Sequence, residues 1–193
     1  VTDPRNDLFK EYVRLIKELQ PKVFVMENVS GMVKGPMKGR FIEIMRELKA
    51  TGYNVRCKLM NAKWYEVPQS RERVIFIGVK DGEPSFPKPL IKTISVEDVD
   101  AGDRVAARQS SARYGDVLLK RNRPAPTLTK LGRLFYSDSL MYGPMSLLSF
   151  CSFPPDWKCV GSYTDIKNRL GNAVMPRFMY HIAKNIKENI LHA

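Results

Sequence analysis

Val23-Phe-Val-Met-Glu-Asn-Val29 is the stretch whose reading decides the fold. Four apolar residues, Val23 to Met26, run between Pro21 and a turn at Gly31. They are rich in β-branched and aromatic types and predict a short buried strand. Glu27 then sits at the carboxyl end of that strand, followed by Asn28. Open α/β sheets bind ligands in the crevice outside the carboxyl ends of their strands. An acid delivered there is a candidate for handling a proton. A lone strand-end Glu is more often an ordinary solvated acid, so Glu27 must be judged by what the rest of the chain brings to it.

Upstream, Asp3-Pro4 offers a cap and a first turn. From there Leu8, Phe9, Tyr12, Val13, Leu15, Ile16 and Leu19 recur at helical spacing, predicting an amphipathic helix that ends before Pro21. Downstream, a second helix is expected from about Gly39 to Ala50, with Phe41, Ile42, Ile44, Met45 and Leu48 inward and Gly52 as its stop. Val55, Cys57 and Leu59 alternate with Asn54, Arg56 and Lys58, the pattern of a half-buried strand. A loop, Asn61 to Arg73, leads into the apolar run Val74–Val79, a central strand able to pair antiparallel with the one before it. This order predicts an α/β fold: the later half of a doubly wound, Rossmann-like sheet with an antiparallel final strand.

The pattern breaks at Asp81, and residues 81–143 read as a smaller irregular lobe. Helical character returns around Ser146 to Phe150 and stops at Phe153-Pro-Pro-Asp-Trp157. A last helix is expected from about Val174 or Pro176 to Leu191, with Phe178, Ile182, Ala183, Ile186 and Ile190 as its stripe. The domain reading is therefore 1–80 as a partial α/β domain, 81–143 as the lobe, and 144–193 as a segment packing back on the first.

The charge narrows the function. Thirty-two Lys and Arg against 20 acids give +12, and no single block carries it. That suggests a folded surface facing a polyanion, nucleic acid first, rather than a basic tail. Residues 100–133 alone hold eight Lys or Arg against three Asp. No run approaches the roughly 18 apolar residues of a membrane span, so no membrane partner is expected. Cys57, Cys151 and Cys159 are odd in number and lack CxxC spacing. They read as reduced, mostly buried thiols of a cytosolic protein, neither disulfides nor a metal site.

Two further stretches carry chemistry. In Val67-Pro-Gln-Ser-Arg-Glu-Arg73, the residues Gln69, Arg71 and Arg73 alternate, so an extended chain places them on one face. Three donors aimed one way suit an anionic or carbonyl-rich ligand, and a solvated loop with surface ion pairs fits equally well. Gly171-Asn-Ala-Val174 precedes the final helix, where small residues let backbone approach a ligand, although a helix cap is the commoner explanation.

Taken in order, Glu27-Asn-Val29, the Gln69–Arg73 loop and Gly171–Val174 closely resemble the C5-cytosine DNA methyltransferases. Asp3-Pro-Arg-Asn-Asp-Leu-Phe9, Pro124-Ala-Pro-Thr-Leu-Thr129 and Phe153-Pro-Pro-Asp-Trp157 fit the same family. The first of these is similar to the stretch after the family's catalytic loop, the second to the end of its target-recognition region.

The resemblance implies methyl transfer from S-adenosylmethionine to carbon 5 of a cytosine flipped out of double-stranded DNA. It implies that Glu27 lies near N3 of the base, that Arg73 binds its O2, and that Arg71 supports the catalytic loop or a phosphate. Asn28 would hold the loop shape. Leu8, Asn172 and Val174 would line the cofactor pocket. Arg5, Gln69, Arg121, Arg123 and Lys130 would face DNA, with the basic stretch along the backbone.

The family's nucleophile is a cysteine in a Pro-Cys loop, and no Pro-Cys pair occurs in this sequence. The Gly-rich first strand-turn that holds the cofactor is absent too. The chain is therefore expected to be the family's C-terminal portion, incomplete alone, and to need an N-terminal half in cis or in trans. The alternative is a non-catalytic DNA-binding remnant or subunit of such an enzyme. The ninth block departs from the family, reading Ser149-Phe-Cys-Ser-Phe153-Pro154, and only 44 residues separate Val79 from Pro124. A sheet open beside Val23–Met26 exposes an apolar edge, and dimerisation through it is expected.

Overall fold

The computed structural model describes residues 7–33, 37–100, 106–108, 116–118, 120–129, 133–135 and 143–192. They belong to two compact units. The first takes Val1–Met60, Glu72–Pro87 and Lys184–Ala193, and the second Asn61–Arg71 and Lys88–Ala183.

The first unit is built on β1 (Val23–Val29), β2 (Asn54–Asn61) and β4 (Glu72–Val79), with β4 in the centre. β4 runs antiparallel to β1, in register from Val23 opposite Val79 to Val29 opposite Arg73. The antiparallel last strand of an α/β sheet is thus present, and it is the fully apolar run Val74–Val79 that takes the centre. Helices α1 (Leu8–Leu19) and α2 (Lys38–Lys49) supply the cover. Phe9, Val13 and Ile16 of α1 and Ile44 and Leu48 of α2 share one core with Phe24, Tyr53, Val55, Val74 and Phe76. Each such side chain contributes about 1.5–3 kcal/mol by leaving water. Gly78 lies opposite Phe24 in the ladder. A Cβ there would collide with the Phe24 ring, so the ring packs over bare backbone. The Tyr12 hydroxyl donates to the Val25 carbonyl at 2.7 Å, tying α1 to β1. Burial pushes that phenol up to about 12.

Several boundaries differ from the sequence reading. β1 runs three residues past Met26, so Glu27 and Asn28 stand inside the strand, opposite Ile75 and Val74. The cause is β4, which starts at Glu72 and gives those residues a ladder partner. Nor is the stretch 61–73 a plain loop. Asn61 caps a 3₁₀ turn, Ala62–Trp64, by accepting from the Lys63 amide at 3.2 Å. Beyond β2, Asn54 donates to the Gly82 carbonyl at 2.7 Å and Arg56 pairs with Glu83 at 2.6 Å, so residues 82–83 follow the polar side of that strand.

In the second unit, β3 (Gln69–Ser70) pairs parallel with β7 (Ala125–Pro126). The expected irregular lobe contains a small sheet, β6–β5–β8, made of Asp116–Leu118, Ala106–Arg108 and Arg133–Phe135. Helix α3 is Pro144–Phe150, α4 is Tyr163–Asn172 and α5 is Pro176–Ile186, followed by a wider turn, Lys187–Leu191. The sequence reading missed α4. Its signal is a capping box: Ser162 accepts from the Asp165 amide while Asp165 accepts from the Ser162 amide. Gly171 and Asn172, read as a turn before the last helix, are the final residues of α4. Among the described residues, no helix is long and apolar enough to cross a membrane.

Candidate functional site

Glu27 acquires a specific partner in the first unit. Its neighbour across the ladder is Ile75, and Arg73 lies two residues further along β4, on the same face. Long side chains reach across such a diagonal. Arg73 Nε stands 2.6 Å from Glu27 Oε1, with the two side chains 12% and 23% exposed. Arg73 also donates to the Glu72 carbonyl at 2.8 Å, which fixes its head group. A half-buried ion pair is weak evidence of stabilisation, because desolvation offsets much of the attraction. What it does provide is an acid and a guanidinium held side by side. Asn28 plays a local part, accepting from the Val29 amide through its side-chain oxygen at 2.8 Å.

The same unit has a cavity of about 490 Å³ bounded by α1, β1 and α2. Leu8, 64% exposed, stands at it together with Tyr12, Met26, Asn28, Val29 and Arg40. Arg40 is held there by Glu43 at 2.7 Å and stacks over the Phe9 ring.

In the second unit, Gln69 and Arg71 are buried rather than presented. Gln69, expected at DNA, has no exposed surface. Its amide nitrogen donates to the Phe150 carbonyl at 3.3 Å, and its oxygen accepts from the Leu128 amide at 3.0 Å. The expectation that it touches DNA is corrected: an amide flanked by backbone in need of partners is consumed by them. Arg71 is 2% exposed and donates to the carbonyls of Leu128, Gly171 and Ala173 at 3.0, 2.8 and 3.1 Å. A guanidinium buried in this way does not reach a phosphate. It joins three segments the sequence singled out separately: the Gln69–Arg73 loop, the Pro124–Thr129 stretch and the Gly171–Val174 turn.

Asn172 is exposed and Val174 partly so, both accessible to a ligand. Arg123 is exposed. Arg121, also expected at DNA, turns instead to Asp100 and donates to its carbonyl at 2.6 Å. Arg5 and Lys130 lie outside the described residues.

Two of the three thiols are disqualified as nucleophiles. Cys151 is fully buried, and burial pushes its thiol up to about 11. Burial also raises Cys57. Reaction requires thiolate and access. Cys151 is therefore expected to stay unmodified by iodoacetamide at pH 8 in the folded chain and to react fully in denaturant, as read by intact mass.

Sequence reasoning missed one polar cluster altogether. Glu66, at a backbone φ of 57°, accepts from His181 Nε2 at 2.8 Å and pairs with Arg177 at 2.9 Å. Those two partners, the His181 hydrogen bond above all, hold the carboxyl below its ordinary value. A depressed acid contributes stability above its unfolded value and loses it as pH falls through the folded one. Glu66→Gln is expected to flatten the acid limb of the stability–pH curve, measured by urea unfolding between pH 3 and 7. Glu66→Gly, which keeps the left-handed backbone without strain, should be more stable than Glu66→Ala.

The fold, an α/β sheet whose antiparallel strand sits between two others, is that of the Rossmann-like methyltransferases. A protein described as a DNA modification methyltransferase encoded within an E. coli prophage superposes over 100% of this chain and 76% of its own, with a TM-score of 0.76 at 20% identity. The family model of the C-5 cytosine-specific DNA methylases matches residues 1–136, and the chain belongs to that family. Type II methyltransferase M.FnuDI of Fusobacterium nucleatum is 30% identical over 98% of this chain and 71% of its own length. Type II methyltransferase M1.HphI of Haemophilus parahaemolyticus is 50% identical over 45% of this chain, a stretch that takes in only 24% of that relative.

Proposed function

We propose that this chain carries the acid-and-arginine part of a DNA (cytosine-5) methyltransferase site, and that the nucleophilic cysteine comes from a segment outside these residues. The observation that carries the reading is the Glu27–Arg73 pair, an acid and a guanidinium held 2.6 Å apart on one sheet face. A cytosine extruded from the duplex would meet Arg73 at O2 and Glu27 at N3 and the exocyclic amine. A thiolate adding at carbon 6 pushes electrons toward N3 and O2. Glu27 stands where a carboxyl can handle a proton at N3 as that charge builds, and Arg73 opposes the charge at O2. Carbon 5 is then electron-rich enough to take a methyl group, after which loss of the carbon-5 proton expels the thiolate and restores the ring.

S-adenosylmethionine supplies that methyl when bound. Leu8, which lines an apolar cavity of the first unit, fits a contact to it, and Asn172 and Val174 are carried over as contacts from the family resemblance. The exposed Arg123 and the excess positive charge fit a phosphate backbone. Residues 1–80 would form the catalytic portion, 81–143 the target-recognition region, and 144–193 a segment returning to the first. Pairing across the open edge of β1, with a second copy or with the segment carrying the nucleophile, belongs to the same reading.

The test combines this chain with a segment bearing the Pro-Cys loop and the Gly-rich cofactor turn. Labelled methyl should appear at carbon 5 of cytosine in duplex DNA only in the mixture. Methylation of adenine, or of cytosine at its amine, would overturn the reading. A chain that binds duplex DNA but never supports transfer would favour a non-catalytic DNA-binding subunit.

A further inference from the structure

We infer that Asp100 and Arg121 form a clasp that positions the β5–β6 lobe, so that Arg121 acts on DNA binding through the lobe's geometry rather than through a phosphate. The inference rests on the proposed DNA-facing role of that lobe. The chain enters the lobe at Asp100 and returns at Lys120–Arg121, with the antiparallel pair β5–β6 between them, Ala106 opposite Leu118 and Arg108 opposite Asp116. At the base, the two limbs are tied by backbone. The Val96 amide donates to the Arg123 carbonyl at 3.0 Å, and the Glu97 amide to the Arg121 carbonyl at 3.1 Å.

Arg121 closes this base. Its Nη2 donates to the Asp100 carbonyl at 2.6 Å, and its Nη1 stands 3.7 Å from Asp100 Oδ2. The Asp100 side chain is only 11% exposed and that of Arg121 23%. The atoms Arg121 Nη1 and Asp100 Oδ2 are both buried, with no hydrogen-bond partner among the described residues. Two opposite charges withdrawn from water and 3.7 Å apart favour one arrangement of the limbs strongly over others, because separating them strands a buried charge. The neighbouring turn is stiff. Val96 is fully buried, and Asp98 Oδ2 accepts from the Ser95 amide and hydroxyl, both at 2.7 Å. The exposed Arg123 is left to face solvent.

The two possible roles for Arg121 predict opposite signs for Asp100. If Arg121 touched phosphate, removing the Asp100 charge would free it and tighten binding. If the pair is a clasp, Asp100→Asn weakens binding despite the added net positive charge. The experiment uses the full chain and a mixed-sequence duplex DNA, with affinity followed against salt, and hydrogen exchange at the β5 and β6 amides.

Asp100→Asn and Arg121→Ala are each expected to speed that exchange at least ~10-fold, and the double variant no more than either single. Each should lower DNA affinity similarly with the salt slope unchanged. A slope reduced by about one for Arg121→Ala, with Asp100→Asn binding as tightly as the parent or tighter, would overturn the clasp in favour of a phosphate contact. Unchanged exchange in both variants would overturn it as well. If the parent chain binds no duplex, the DNA-facing reading fails, while the exchange data still decide whether the clasp exists.

Discussion

Arg71→Ala is expected to lower the unfolding free energy of the chain by about 3–5 kcal/mol, a loss at the upper end of what one substitution produces. Three carbonyls, those of Leu128, Gly171 and Ala173, accept from this one guanidinium. Each left buried and unpaired costs roughly 1–3 kcal/mol. A large void replaces a side chain that is 2% exposed, which adds to the loss. Arg71→Lys should recover only part of it, since an ammonium on a flexible stem cannot spread donors in the plane the three oxygens define. Urea unfolding at fixed pH measures both. A loss below about 1 kcal/mol for Arg71→Ala would show that the three segments hold together without it. The same substitution should lengthen no strand and leave Glu27 and Arg73 in place, because that pair belongs to the other compact unit.

Arg71 also shows where the sequence was legible and where it was not. Alternation put Gln69, Arg71 and Arg73 on one face as three presented donors. Strand β3 stops at Ser70 and β4 starts at Glu72, so Arg71 falls between them. Gln69 and Arg71 turn inward to satisfy backbone from segments 57 to 102 residues away in the chain. Hydrophobic periodicity cannot report such distant carbonyl partners, and a polar residue reads as exposed unless its partner is known. The core of the first unit was largely legible because it needs only local periodicity: Phe9, Val13 and Ile16 of α1, Ile44 and Leu48 of α2 and the apolar run of β4 bury as read, whereas Leu8, Leu15, Leu19 and Ile42, read into the same stripes, are exposed. The end of β1 was misplaced because its length is set by β4, a partner about 50 residues on. Helix α4 carried a readable start at Ser162 and Asp165, but its apolar stripe is only Ile166 and Leu170, too thin to stand out. Glu66 was invisible for the same reason as Arg71: its partners, Arg177 and His181, are more than a hundred residues away.

Glu27→Gln, in the chain completed by a segment carrying the Pro-Cys loop, is expected to cut methyl transfer at least ~100-fold while leaving the fold intact. The substitution is nearly isosteric. Its amide oxygen can still accept from Arg73, so the diagonal contact across β1 and β4 survives and unfolding should shift by less than about 1 kcal/mol. What is lost is the carboxyl's ability to carry a proton toward N3 as negative charge gathers on the ring. The loss should therefore fall on the single-turnover rate and spare DNA affinity, since an interaction made only in the transition state lowers kcat without raising KM. Arg73→Ala makes the contrast. It removes a ground-state contact to the base as well as leaving Glu27 half-buried beside no cation, so affinity, rate and stability should all fall together. Measuring both variants by single-turnover transfer and by DNA binding separates the two roles. A Glu27→Gln protein that keeps more than about a tenth of the parent rate would remove Glu27 from proton handling and leave it as a partner that merely orients Arg73.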